Sequence, residues 1–245
     1  MARFWELDAA RGVAVMLMLL FNWSFTLRYF GVYDAGGGWF YWWLFPRLIA
    51  GTFIAVAGVS LAISCHRTPK RKRLQKFLSR GAMLFSFGLL VTLATWLFVP
   101  QGTVVFGILH FMGVAVAAGS LFVKLGRLNL VLGALLMMTG AYLGSVSVDM
   151  PWLLWLGLAP HNFYTFDYFP LLPWFGLFLM GIHLGNVHYP RGKRSFVIGK
   201  MPGAARVLCL VGRHSLLIYG LHQPLLFAVL LVTGVPLHGL NAPAL

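Results

Sequence analysis

Apolar stretches of about 20 residues recur along the whole chain, and that is the length an α-helix needs to cross the hydrocarbon core of a bilayer. Inside lipid the backbone N–H and C=O groups find no water, so each stretch must satisfy them within itself as a helix. Composition points the same way. Of 245 residues, 60% are hydrophobic and 10% charged, whereas soluble domains carry roughly 25% charged residues; the mean hydropathy is +0.82. The expected fold is all-α: a polytopic transmembrane helical bundle, one transmembrane domain over residues 1–245, with no separate soluble domain.

Seven spans are predicted, at about Ala9–Phe30, Trp39–Cys65, Phe77–Val99, Thr103–Val123, Leu128–Val146, Phe169–Val187 and Val207–Val235. Lys and Arg number 19 against five acids, a formal net charge of +14. In a soluble chain that balance would suggest nucleic acid. Here the basic residues fall in particular connections: Arg3, a basic loop from His66 to Arg80, Lys124 with Arg127, and Arg191 to Arg206. Alternating loops carry them, so the positive-inside rule accounts for the charge, and the partner is the lipid bilayer rather than nucleic acid. The expected topology is multi-pass in the cell membrane, N-terminus cytoplasmic and C-terminus outside. Glu6 and Asp8 at the start of the first span, and the lack of a small-residue cleavage site after it, mark it as retained rather than cleaved. Cys65 and Cys209 both fall at cytoplasmic span ends, which argues against a disulfide or a metal site.

Met150 to Tyr168 is rich in Trp, Tyr and Phe, has no Lys or Arg, and is broken by Pro151 and Pro160. It reads as an interfacial or re-entrant piece on the outer face, or a lid over a site. A faint internal echo relates Phe45–Leu61 to Phe169–Leu184 and is too thin to define a duplicated unit.

Ionisable residues inside spans are costly and mark function or a partner within the bundle. An inner group comprises Glu6, Asp8, Arg11, Arg213, His214 and Ser215; its plain reading is an ion-pair cluster joining the first and last spans. An outer group comprises Asn22, Arg28, Asp34, Arg47, His110, Asp167, His222 and Gln223. Arg47 is placed about 12 Å, and His110 about 10 Å, below the start of its span at 1.5 Å per residue. Pro224, beside His222, removes an intrahelical bond to the Gly220 carbonyl. Singly, each has an ordinary explanation, such as a packed histidine, a snorkelling arginine or a helix cap. Together they suggest a shared cavity open to the outside. No soluble-enzyme motif or metal-ligand spacing appears.

The blocks LDAARGVAVMLMLLFN (Leu7–Asn22), GTFIAVAGVSLAIS (Gly51–Ser64), FGILHFMG (Phe106–Gly113), DYFPLLPWFGLFLMGIHLG (Asp167–Gly185) and GRHSLLIYGLHQPLL (Gly212–Leu226) fall in one order along nearly the whole chain. They resemble the heparan-alpha-glucosaminide N-acetyltransferase catalytic-domain family, in its short prokaryotic form. The resemblance implies transfer of an acetyl or acyl group from cytosolic acyl-CoA to an acceptor across the membrane, a glycan or amino-sugar-like molecule, with no metal. Asn22 matches the family's asparagine near the end of the first core helix. The family's catalytic histidine falls where this chain has Tyr33 and Asp34, so it is missing. The resemblance then places the CoA phosphates near Arg213 and His214. It makes Asp34 or His110 the base, and has Asn22, with Arg47 or His222, donate to the oxyanion. Two other classes fit the same residues: a small-solute or ion transporter with a mid-membrane site, and a non-catalytic membrane protein whose polar groups glue helices together. An oligomer is compatible with the sequence.

Overall fold

The computed structural model describes residues 3–33, 36–203 and 205–233, apart from the Leu231 side chain. Its helices are α1 (Trp5–Tyr29), α2 (Phe45–Arg67, preceded by a π-helical turn over Phe40–Leu44), α3 (Lys70–Phe98), α4 (Ile108–Phe122), α5 (Leu128–Leu143), α6 (Leu171–His188), α7 (Ala205–Arg213) and α8 (Ser215–Val232). Among the described residues there is no β-strand, only an isolated bridge between Ser147 and Ala159. The all-helical class read from the sequence holds. Among the described residues, five helical segments are long and apolar enough to cross a membrane: Trp5–Tyr29, Phe40–Arg67, Lys70–Phe98, Ile108–Leu125 and Leu171–His188. Leu128–Leu143 and Ser215–Leu230 are shorter apolar helices.

Three boundaries depart from the sequence reading. The expected basic loop from His66 to Arg80 is almost entirely helix, because α2 runs to Arg67 and α3 starts at Lys70, leaving Thr68-Pro69 as the link. Lys and Arg are good helix formers, and hydropathy registers where charge begins rather than where a helix ends. The fourth helix starts at Ile108, behind an extended Gly107, and not at Thr103. The last predicted span is not one helix. It is the nine-residue α7 and then α8, with His214 between them, and everything beyond Thr233 lies outside the described residues.

The chain forms two compact units. The first takes the described residues up to Val56 and from Ile198 onward, hence α1, the beginning of α2, α7 and α8. Here α7 packs closely on the start of α1: a Cβ on Gly12 would strike the Leu208 carbonyl, and one on Gly212 the Asp8 carbonyl. The pairs Asn22–His222 and Phe30–Phe227 match α8 to α1 in parallel order. Helical hydrogen bonds run on across the break, from the His214 N–H to the Leu210 carbonyl and from the Ile218 N–H to the His214 carbonyl, so α8 continues the course of α7. At nine residues, about 13 Å of helix, α7 is too short to cross the roughly 30 Å core.

The second unit takes residues 57–197, from the later half of α2 through α6. Its helices also touch at small residues: Gly81 against Gly113 joins α3 to α4, Gly133 against Gly176 joins α5 to α6, and Gly58 against Gly181 joins α2 to α6. Lipid tails give no hydrophobic reward for pairing helices, so close backbone contact through small residues supplies the dispersion energy. Phe178, fully buried, fills the space beside Gly58 and Gly119. Leu89, Leu90, Leu93 and Leu97 of α3 are exposed, a face suited to hydrocarbon. The echo segments are in contact, since Gly58 meets Phe178 and Gly181, and Gly185 meets Val59 and Ala62.

Candidate functional site

The polar residues singled out in the sequence are distributed over both units. In the first, Asn22 of α1 and His222 of α8 are hydrogen-bonded through Nδ2 and Nε2 at 2.9 Å. His222 is buried, at 7% exposure, and its Nδ1 lies 2.6 Å from the Tyr219 carbonyl oxygen. A carbonyl can only accept, so Nδ1 carries hydrogen, and in the neutral ring Nε2 is left with its lone pair. The Asn22 amide donates to that lone pair. The pair thus holds one basic nitrogen and one amide donor face to face between two apolar helices. The neighbouring Gln223 Oε1 is buried with no hydrogen-bond partner. One helical turn further, Trp23, Thr26, Leu27, Leu226 and Leu230 line a shallow groove. Thr26 is the buried polar side chain there, and the sequence reading passed over it.

Arg47, in the same unit, does not join this pair. It is exposed, its Nη1 donates to the Trp43 carbonyl at 2.7 Å, and its guanidinium lies 4.1 Å from the Trp43 ring centre. That is a cation–π contact within one helix. Asp34, a sequence candidate for the base, lies outside the described residues.

Of the inner group, Asp8, Arg11 and Arg213 form an ion-pair cluster between α1 and α7. Asp8, 5% exposed, accepts from Arg213 Nε at 3.1 Å and stands 3.6 Å from Arg11. Asp8 lies in the first turn of α1 and Arg213 in the last turn of α7, so both charges also suit their helix dipoles. Arg213, a candidate for binding CoA phosphate, is therefore engaged, with its side chain still 43% exposed. His214 is exposed at the break between α7 and α8, with Nδ1 3.0 Å from the Leu210 carbonyl oxygen.

His110 and Asp167 belong to the second unit, and both cap α4. His110 sits in the first turn of α4, not the 10 Å into a helix expected from the sequence, because the helix starts five residues later than Thr103. The Gly107 N–H donates to its Nδ1 at 3.2 Å, so the ring hydrogen is on Nε2, 3.3 Å from Thr92 Oγ1. Thr92 in turn donates to the Val104 carbonyl at 2.6 Å. Phe85 and Phe106 flank the ring, and Gly88 leaves room for it. Asp167 Oδ2 accepts from the Ile108 N–H at 2.9 Å, from the segment that precedes α6. That segment, 144–170, is not helical apart from a 3₁₀ turn at Pro151–Leu153. It folds onto the starts of α4 and α6: Phe166 N–H bonds the Gly102 carbonyl, Phe169 N–H the Phe106 carbonyl, and Leu171 N–H the Trp155 carbonyl.

A second polar group was missed in the sequence. Asn129 Nδ2, Asn186 Nδ2 and His183 Nδ1 reach the carbonyls of Phe122, Val123 and Gly126, where α4 ends, and His66 Nε2 meets Asn186 Oδ1 at 2.8 Å. The i, i+3 spacing of His183 and Asn186 within an apolar helix was the available signal. Among the described residues no group of three or more His, Cys, Asp or Glu is placed to hold a metal.

These features define a class: a helical membrane protein with chemistry-bearing side chains set within its helix packing. Residues 3–224 match the family model described as heparan-alpha-glucosaminide N-acetyltransferase, catalytic, and the chain belongs to that family. The family supports a membrane acetyltransferase-like function with an acetyl-CoA-type co-substrate. No curated protein and no solved structure matches the chain. The matched range takes in both Asn22 and His222.

Proposed function

We propose that this chain is an acyl-CoA-dependent acyltransferase of the cell membrane, with His222 as base and Asn22 as oxyanion donor. It transfers an acetyl or other short acyl group to an amine or hydroxyl of an amino-sugar, glycan or envelope acceptor. The observation that carries this is the part-buried Asn22–His222 pair, two groups of the kind acyl transfer requires, within the stretch that matches the family.

At rest the two groups satisfy each other. An entering acceptor gives its N–H or O–H to His222 Nε2, and the thioester carbonyl takes over the Asn22 amide N–H. The acceptor heteroatom then attacks the carbonyl carbon as its proton passes to Nε2. Negative charge grows on the acyl oxygen and is met by Asn22. When the tetrahedral carbon collapses the C–S bond breaks, and the thiolate leaves as CoA thiol, taking the proton from His222. The Nδ1–H bond to Tyr219 steadies the imidazolium in between. The donor's phosphates meet the basic end of the protein, where the exposed part of Arg213 and His214 lie. In this reading α5 and α8 complete seven crossings, with the N-terminus inside. His110 and Asp167 stay structural, because His110 is committed to Gly107 and to Thr92 of α3, and Asp167 to the first amide of α4.

The test is release of CoA thiol and labelling of glucosamine by purified protein given radiolabelled acetyl-CoA. Asn22→Ala and His222→Gln should each lower turnover by about a hundredfold or more, with helicity and melting unchanged. If the intact chain neither binds acetyl-CoA, nor labels itself, nor releases thiol, the activity is wrong. If both variants keep full turnover, the site is wrong.

A further inference from the structure

The second unit holds a group of cations that acyl transfer does not use. Where α2 hands over to α3, the Arg73 Nε–H donates to the Thr68 carbonyl at 2.8 Å. The Lys76 ammonium donates to Ser64 Oγ at 2.9 Å and Thr68 Oγ1 at 2.8 Å. Thr68 is buried, and its own hydroxyl donates to the Ser64 carbonyl at 2.6 Å. Both cations are therefore held in place by neutral oxygens, and none of these bonds cancels a charge. Arg73 keeps its two Nη groups for another partner, and Lys76 keeps one N–H.

Lys124 is exposed in the turn after α4. Gly88 meets His110 and Gly81 meets Gly113 and Ala117, so α3 and α4 run antiparallel and that turn lies beside the start of α3 and its cations. The carboxylates of this unit, Asp149 and Asp167, both lie in the segment beyond the opposite ends of α4 and α5. Fixed positive charge with no acid at its end of the unit calls for an external anion. The adjoining surface says which kind. On α3, Leu74 and Leu78 are exposed at 55% and 48%, one turn apart and next to the cations. A cationic grip opening onto an apolar helix face suits an amphiphile better than a soluble anion.

We propose that Arg73, Lys76 and Lys124 bind the phosphate of an anionic phospholipid headgroup, whose acyl chains lie along Leu74 and Leu78. The inference is independent of the transfer reaction. Three cations holding one phosphate also tie α3 to the turn after α4, so the lipid acts as a clip across that end of the helix pair.

The experiment is titration of the detergent-purified chain with phosphatidylglycerol and with phosphatidylcholine, followed by native mass spectrometry. Phosphatidylglycerol should bind in preference. The double variant Arg73→Gln with Lys76→Gln should bind it on the order of thirtyfold more weakly. Because Lys76 also props the Thr68 turn, Lys124→Gln is the companion variant: its ammonium supports no internal hydrogen bond, and its loss should weaken binding about fivefold with helicity intact. Equal binding of the two lipids by the unaltered chain would overturn the proposal, as would unchanged phosphatidylglycerol binding in Lys124→Gln. Displacement of the lipid by CoA would also overturn it, reassigning the cations to a nucleotide.

Discussion

Two buried histidines show how partners, more than burial, decide what a side chain can do. His110 has the Gly107 N–H, at the start of α4, on one nitrogen and Thr92 of α3 on the other. Taking it away leaves a buried N–H orphaned and a hole between Phe85 and Phe106. We expect His110→Ala to destabilise by about 2–4 kcal/mol, with turnover per folded molecule retained; unfolding in detergent alongside the transfer assay separates the two. His222 should behave in the opposite way, since Asn22 is a partner a substrate can replace. Asp8 is a third case. Its loss should cost about 1.5–3 kcal/mol, the worth of a hydrogen bond to a charged group, read as a lowered melting temperature. Tyr168, in the segment ahead of α6, supplies a pH dependence. Its hydroxyl donates to the Leu154 carbonyl at 2.7 Å, and burial pushes its pKa up to about 12 from 10.0. The folded protein thus holds a proton that the unfolded chain releases from pH 10 upward. Its stabilising contribution is complete below pH 10 and is lost as pH rises towards 12, so alkaline unfolding should begin earlier in the native chain than in Tyr168→Phe once each is referred to its own neutral-pH stability.

At the scale of the helix, hydropathy located nearly every apolar element but misjudged where several begin. Apolar content shows where lipid contact starts, which is why α3 was expected from Phe77 although its backbone is helical from Lys70. The beginning of α4 depends on Gly107 being extended and on two side chains, one of them 59 residues away, reaching its first amides. Nothing local in the sequence announces that. The same holds for the site. Asn22 and His222 were both legible as costly polar residues, but their pairing across 200 positions was not, nor was the engagement of Arg47 with Trp43. The break at His214 was hidden because α7 and α8 run on from one another and together have the length of one span. Glycine contacts are the element-level commitment that can be tested. Gly12→Leu should force α7 from α1 and disrupt the Asp8–Arg213 ion pair, and Gly113→Leu should part α4 from α3. Each should lower the melting temperature well beyond the effect of an exposed Gly199→Leu, whose Cβ meets nothing.

Across the molecule, charge is unevenly placed. In the second unit the Lys and Arg residues gather where α3 and α5 begin, and Asp149 and Asp167 at the other ends of those helices. Aromatic residues from Trp152 to Phe169 crowd the acidic end, as side chains do at a membrane interface. The expected orientation puts the basic end in the cytoplasm. With Cys65 and Cys209 replaced, a membrane-impermeant thiol reagent applied to intact cells should label Asp149→Cys and leave Lys72→Cys untouched until the cells are opened. The reverse pattern would invert the topology.

The mutual bond between Asn22 and His222 also acts as an entry requirement. A visitor that separates them must hand each a replacement, a hydrogen for the imidazole and a lone pair for the amide, or leave one stranded in an apolar setting. A hydroxyl or an amine next to a thioester meets that demand jointly, whereas a hydrocarbon cannot. Water meets it too. Slow loss of the acyl group to solvent, when no acceptor is supplied, is therefore the leak this architecture should show first.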